Sequence, residues 1–211
     1  MTSERHKAIE AAPGTSPPGG ASKRDAVLDA ARDCVLAVGV RRTTLTDIAR
    51  RAGVSRMTLY RSWPDVRSLV SDLMTREFLA VAIEAQPPDD AGPVRPRMVA
   101  GLVAGARAFR AHPLLRKIVE VDPELLLPYV LERCGTSQRG FLEMFERTLR
   151  AGHADGTIRA GHPGRQARAL LLVVQSFVLS ARTMTDGADP ELDDAAFDAE
   201  LAHILERTLA P

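Results

Sequence analysis

Between residues 46 and 63 the chain reads TDIARRAGVSRMTLYRSW, with Arg50, Arg51, Arg56 and Arg61 within twelve residues and one acid, Asp47, among them. Guanidinium groups are forked donors suited to phosphate oxygens and to the acceptor edge of guanine. Hydroxyls interleave with them at Thr46, Ser55, Thr58 and Tyr60, and such side chains also donate to phosphate. Other chemistry finds little support along the chain. His112, His153, His162 and His203 are scattered, with no paired-ligand spacing. Cys34 and Cys134 are far apart and lack metal spacing. GHADG and AGHPG read as turns, and no glycine-rich phosphate loop follows a strand. No catalytic residue, cofactor or metal is therefore expected.

The basic side chains need a rigid frame, and the spacing supplies one. Thr44 is an N-cap candidate before Leu45, Ile48, Ala49 and Ala52, a helix of two turns. Gly53 breaks it where a positive φ is needed, and Ser55 caps a further helix that Pro64 ends. Small Ala49 lets the two helices approach, while Val54 and Leu59 point inward. This is a helix-turn-helix layout. Arg56, Met57, Thr58, Tyr60 and Arg61 remain on the outside, a set suited to the major groove. The N-terminus at Ser55 adds a dipole that favours phosphate. Thr44 and Thr46 are further phosphate donors. Arg56 and Thr58 are the candidates for base contacts, with phosphate the alternative for Arg56. Trp63 is expected in the core. Residues 22–67 carry ten basic and five acidic side chains, so this segment is at +5 in a chain of net +1. Positive charge is thus concentrated where the docking geometry lies, pointing to double-stranded DNA.

The wider chain agrees with a helical frame. Its 211 residues are 45% apolar and 4% aromatic, with no clustered strand pattern. Residues 1–21 read as a disordered tail, with six Pro or Gly in the block 11–20. Order begins at the N-cap Ser22, and Gly39 stops the first helix. Asp65 caps a fourth, connecting helix over 66–85, and PPDDAGP at 87–93 is a linker. Helices are expected at 94–110, from Pro113, from Pro123, at 137–152, at 163–184 and at 192–209. The longest apolar run, ALLLVV at 169–174, is too short for a membrane span. No signal peptide is read, and two unpaired cysteines suit a reducing cytoplasm. The fold class is all-α, an N-terminal three-helix helix-turn-helix domain at 22–67 followed by a C-terminal helical domain at 86–211.

TTLTDIARRAGVSRMTLYRSWPDVRSLV resembles the DNA-binding domain of TetR-type (tetracycline repressor family) transcriptional regulators. The residues that carry the likeness are Thr46, Ile48, Ala49, the run Ala52–Ser55, the run Thr58–Tyr60, Trp63 and Pro64. It covers about 22–75. Two positions depart from the family pattern. Met57 stands where glycine is frequent, and Val66 where many members have a phosphate-contacting lysine, with Arg67 beside it. The resemblance implies that Tyr60 contacts phosphate. It also implies a C-terminal small-molecule pocket and a homodimer. Pocket candidates are Leu102, Phe109, Tyr129, Phe141, Met144, Phe145 and Phe177, with Gln175 and Tyr129 as polar anchors. In the helix at 163–184, Ala169, Leu172 and Val173 are expected to pack on its own domain. Leu170, Leu171, Val174 and Val178 are expected to join Leu201, Ile204 and Leu205 in a four-helix dimer bundle. The expected function is a regulator, chiefly a repressor, that binds a palindromic operator and is released by a small apolar molecule. The alternative is a constitutive DNA-binding protein without an effector.

Overall fold

The computed structural model describes residues 22–88 and 92–211. The expected tail at 1–21 lies outside them, as do residues 89–91 of the expected linker. Among the described residues there are helices and turns and no strand.

Local chemistry sets the boundaries. Helix α1 (Lys23–Val38) starts at Ser22, whose hydroxyl accepts from the Asp25 N–H while the Asp25 carboxylate accepts from the Ser22 N–H. It ends at Gly39, with φ at 83°. Helix α2 (Leu45–Ala52) starts at Thr44, whose hydroxyl accepts from the Asp47 N–H. It stops at Gly53 in the left-handed region, φ 65° and ψ 28°. Ser55 and Asp65 cap α3 (Arg56–Ser62) and α4 (Val66–Glu84) in the same way.

Six further helices complete the chain: α5 (Val94–Ala111), α6 (Pro113–Val121), α7 (Leu127–Leu131), α8 (Thr136–Ala154), α9 (Pro163–Ser180) and α10 (Asp194–Leu209). Three differ from the sequence-based expectation. Pro123 opens a single 3₁₀ turn, Pro123–Leu125, and the short helix begins only at Leu127. Helix α9 ends at Ser180, and the stretch expected to extend it is a 3₁₀ turn at Ala181–Thr183. The last helix starts at Asp194, because the side chain of Asp193 accepts from the Ala196 N–H and caps it there.

Two cores result. Val35, Ile48, Leu59, Leu69 and Leu73 of α1–α4 share the first with Leu114 and Ile118 of α6. The second joins Leu102 and Ala106 of α5 to Leu149 of α8, Leu170 of α9 and Leu201 and Leu205 of α10. Asp198 of α10 is 5% exposed and pairs with Arg107 and Arg110 of α5, which pins the last helix to the body.

Helix α9 meets its own domain through a different side from the one expected, although Val173 packs partly buried against the second core as expected. Leu170, Leu201 and Leu205 are at most 1% exposed inside their own protomer and have no surface left for a partner. Val174 is buried, and Leu171 and Val178 are partly buried against the same core. Leu172 is instead 70% exposed, with Ala169 exposed beside it.

Candidate functional site

The turn between α2 and α3 is built as a corner. The Val54 N–H donates back to the Ala49 carbonyl, 3.0 Å, and Ala49, Ile48 and Leu59 fill the angle. At α3 the Ser55 hydroxyl accepts from the Thr58 N–H at 3.1 Å and lies 2.8 Å from the Thr58 hydroxyl. Thr58 is therefore held in place before any ligand arrives. Trp63 is buried and its indole N–H donates to Asp72, 2.7 Å. Outside this frame stand Arg56, Met57, Thr58, Tyr60 and Arg61, all exposed, with Met57 78% open. Thr44 and Arg67 are exposed too, and Thr46 is half-buried.

Ion pairing sorts the arginines in a way that sequence cannot. Arg50 pairs with Asp47 and Arg51 with Asp33. Arg24 pairs with Asp72 and lies over the Trp63 ring. Arg41 reaches Glu124 and Asp122. Arg56 and Arg61 have no hydrogen bond or ion pair among the described residues. Two unneutralised guanidinium groups thus flank the exposed face of α3, which favours binding to an anionic surface.

A second feature lies in the other half. A cavity of about 150 Å³ opens between α4, α5, α7, α8 and α9. Seven of the eight sequence-predicted pocket residues line it: Leu102, Phe109, Tyr129, Phe141, Met144, Phe145 and Gln175. Phe177 does not, being turned into the second core. Leu171, Val174 and Val178, expected at a dimer interface, are wall residues instead. Sequence reasoning missed Met74, Phe78 and Gln138, also in the wall. Gln138 carried a signal, because it stands three residues after Gly135 and its side-chain oxygen accepts from the Gly135 N–H at 2.7 Å.

Cavity and helix-turn-helix are joined in two places. Helix α4 packs Leu69, Val70 and Leu73 into the first core and turns Met74, Phe78 and Ala82 to the cavity. The second joint is Asp122, 1% exposed, which accepts from the Val40 N–H at 2.7 Å. It stands a few residues before Leu126 and Tyr129 of the cavity wall.

The histidines have local duties. His162 accepts from the Arg165 N–H at the start of α9, and His153 bonds Gln166. Among the described residues no three His, Cys, Asp or Glu side chains group as metal ligands would, and no helix is long and apolar enough to cross a membrane.

Comparison with known proteins agrees with this arrangement. Residues 27–73 match the family described as bacterial regulatory proteins, tetR family. An uncharacterized HTH-type transcriptional regulator of Mycobacterium bovis is 41% identical over 179 residues, covering 85% of this chain and 90% of that one. The transcriptional repressor QsdR from R. erythropolis, of the TetR family, shares the fold at a TM-score of 0.65 and 16% identity, over 90% of this chain and 96% of its own. A complex of SmeT with triclosan is similar at a TM-score of 0.60 and 25% identity, over 90% of this chain and 93% of its own.

Proposed function

Because the chain belongs to the tetR family of bacterial regulatory proteins, and is a DNA-binding transcriptional regulator, we propose that it represses by holding a palindromic operator as a homodimer and lets go when a small apolar molecule enters the cavity. In this reading residues 22–67 hold the DNA, α4 connects, and residues 86–211 receive ligand and partner. The observation that carries the reading is the dual role of α4, which is both core of the helix-turn-helix and wall of the cavity. The solved relative SmeT, seen with triclosan, supports a small-molecule role for such a fold.

The mechanism is a shift between two positions of the reading heads. A two-fold dimer presents two α3 helices to successive major grooves, so spacing controls affinity. Arg56 and Thr58 face base edges, while Thr44, Thr46, Tyr60, Arg61 and Arg67 face phosphates, and Met57 limits which base fits. A ligand that favours another setting of α4 and of the Asp122 joint changes the spacing. Ligand and operator then weaken each other by one coupling free energy.

The test is selection of a bound duplex from random DNA, followed by titration of variants. Arg56→Ala should weaken the selected duplex about tenfold or more and relax the preference at the base it faces. Tyr60→Phe should weaken it less and without changing sequence preference. If both variants bind as the parent does, α3 is not the reading helix. If DNA affinity ignores every cavity ligand, the protein is a constitutive binder.

A further inference from the structure

The cavity wall makes a chemical choice. No described residue lining it is Asp, Glu, Lys, Arg or His. The wall is chiefly leucine, valine, methionine and phenylalanine, including Phe78 and Phe109 in edge-to-face contact at 5.4 Å. A charged ligand would leave water without a countercharge, which is strongly unfavourable. A purely hydrocarbon ligand would leave polar groups of the wall unmatched.

One of those groups is oriented by the backbone. The Gly135 N–H donates to Gln138 Oε1, 2.7 Å, and Gln138 Nε2 donates to the Tyr129 carbonyl, 3.0 Å. These backbone groups allow only one orientation of the Gln138 amide. Gln138 Nε2 also donates to Gln175 Oε1, 2.8 Å. A donor there admits only an oxygen, so the Gln175 amide is fixed in turn. Its Nε2 is left as a donor with no partner among the described residues, on a side chain that lines the cavity. By contrast the Thr75 hydroxyl already donates to the Ser71 carbonyl.

We propose that the ligand is a neutral, mainly hydrocarbon molecule with one carbonyl oxygen, as in an ester, ketone or lactone, and that Gln175 Nε2 donates to that oxygen. This rests on the ligand-responsive reading above and specifies the chemistry of its site. Such a site rejects an analogue that cannot meet its donor, and it rejects a carboxylate or ammonium of equal length because neither finds a countercharge.

Three probes of matched chain length test it on the full-length protein by calorimetry: methyl octanoate, octanoate and octylammonium. Methyl octanoate should bind, with the two ions at least roughly a hundredfold weaker. Gln175→Leu should weaken the ester roughly fivefold to tenfold. The carbonyl stretch of labelled ester should shift to lower frequency on binding to the parent and not to Gln175→Leu, a readout independent of any change in fold stability. The proposal is overturned if no ester binds up to its solubility, if octanoate binds as well as the ester, or if Gln175→Leu leaves affinity and stretch unchanged. Ester binding that leaves operator affinity untouched would sink the regulatory reading while leaving this one standing.

Discussion

Asp122 shows how one side chain can tie two parts of the fold together. Its carboxylate is 1% exposed, accepts from the Val40 N–H and has the Arg41 guanidinium 3.5 Å away. The partner backbone can approach because Gly39 takes φ 83°, and a Cβ there would meet Asp122 Oδ2 and Val121 Cγ1 at 2.9 Å each. Removing the carboxylate would leave the Val40 N–H buried and unpaired, which costs about 1–3 kcal/mol. Arg41 is two-thirds exposed and adds little. Asp122→Ala should therefore lower the unfolding free energy by about 2 kcal/mol in urea titration. Asp122→Asn, which keeps an acceptor, should fall between it and the parent. Equal stability of the alanine variant and the parent would show that this joint carries no weight.

At the scale of elements, the place where α4 meets the start of α6 is sensitive to protons. His112 stands edge-on to Phe78, 5.8 Å between rings, with Glu77 of α4 3.8 Å away. Burial holds its ring pKa below the ordinary 6.5, helped by Arg32 of α1 and opposed by Glu77. The unfolded chain then binds the proton before the folded one does. Stability is fully present above 6.5 and is lost as pH falls below it towards the folded value. Melting temperatures taken from one pH unit above 6.5 to one unit below should therefore decline, and His112→Gln should flatten that decline; an unchanged slope in the variant would place the proton elsewhere. Element boundaries with a chemical stop were legible in the sequence: Ser22, Thr44, Gly53, Ser55 and Asp65 all act where their types predicted. The facing of α9 was not. Residues 169–174 are apolar all round, so periodicity offers no polar side to mark solvent. The polar residues flanking that run divide: Gln166 and Gln175 are turned inward, where Gln166 donates to the Arg159 carbonyl and Gln175 accepts from Gln138, while Arg165, Arg168 and Ser176 are exposed. Asp122 was equally hidden, because an acid before a proline reads as an exposed turn.

For the whole molecule, what matters is which surface meets a second copy. The proposed dimer needs an apolar face that the protomer leaves open. On α9 that face centres on Leu172, 70% exposed, with Ala169 and Ser176 exposed on the same side and Val173 partly so. In a two-fold interface each substitution acts twice. Burying a leucine contributes about 2 kcal/mol, so Leu172→Arg removes about 4 kcal/mol from association before any repulsion between the paired arginines. The dissociation constant should rise about a thousandfold. Sedimentation equilibrium should then find a dimer for the parent and a monomer for the variant, with helical content retained, and operator affinity should fall although α3 is intact. Leu170→Ala should do the opposite, lowering stability by about 2–5 kcal/mol through a cavity in the core while the dimer persists in the folded fraction. A Leu172→Arg protein that stays dimeric at the parent's concentration would mean that the two copies meet through another surface, and that the spacing between reading heads is set elsewhere.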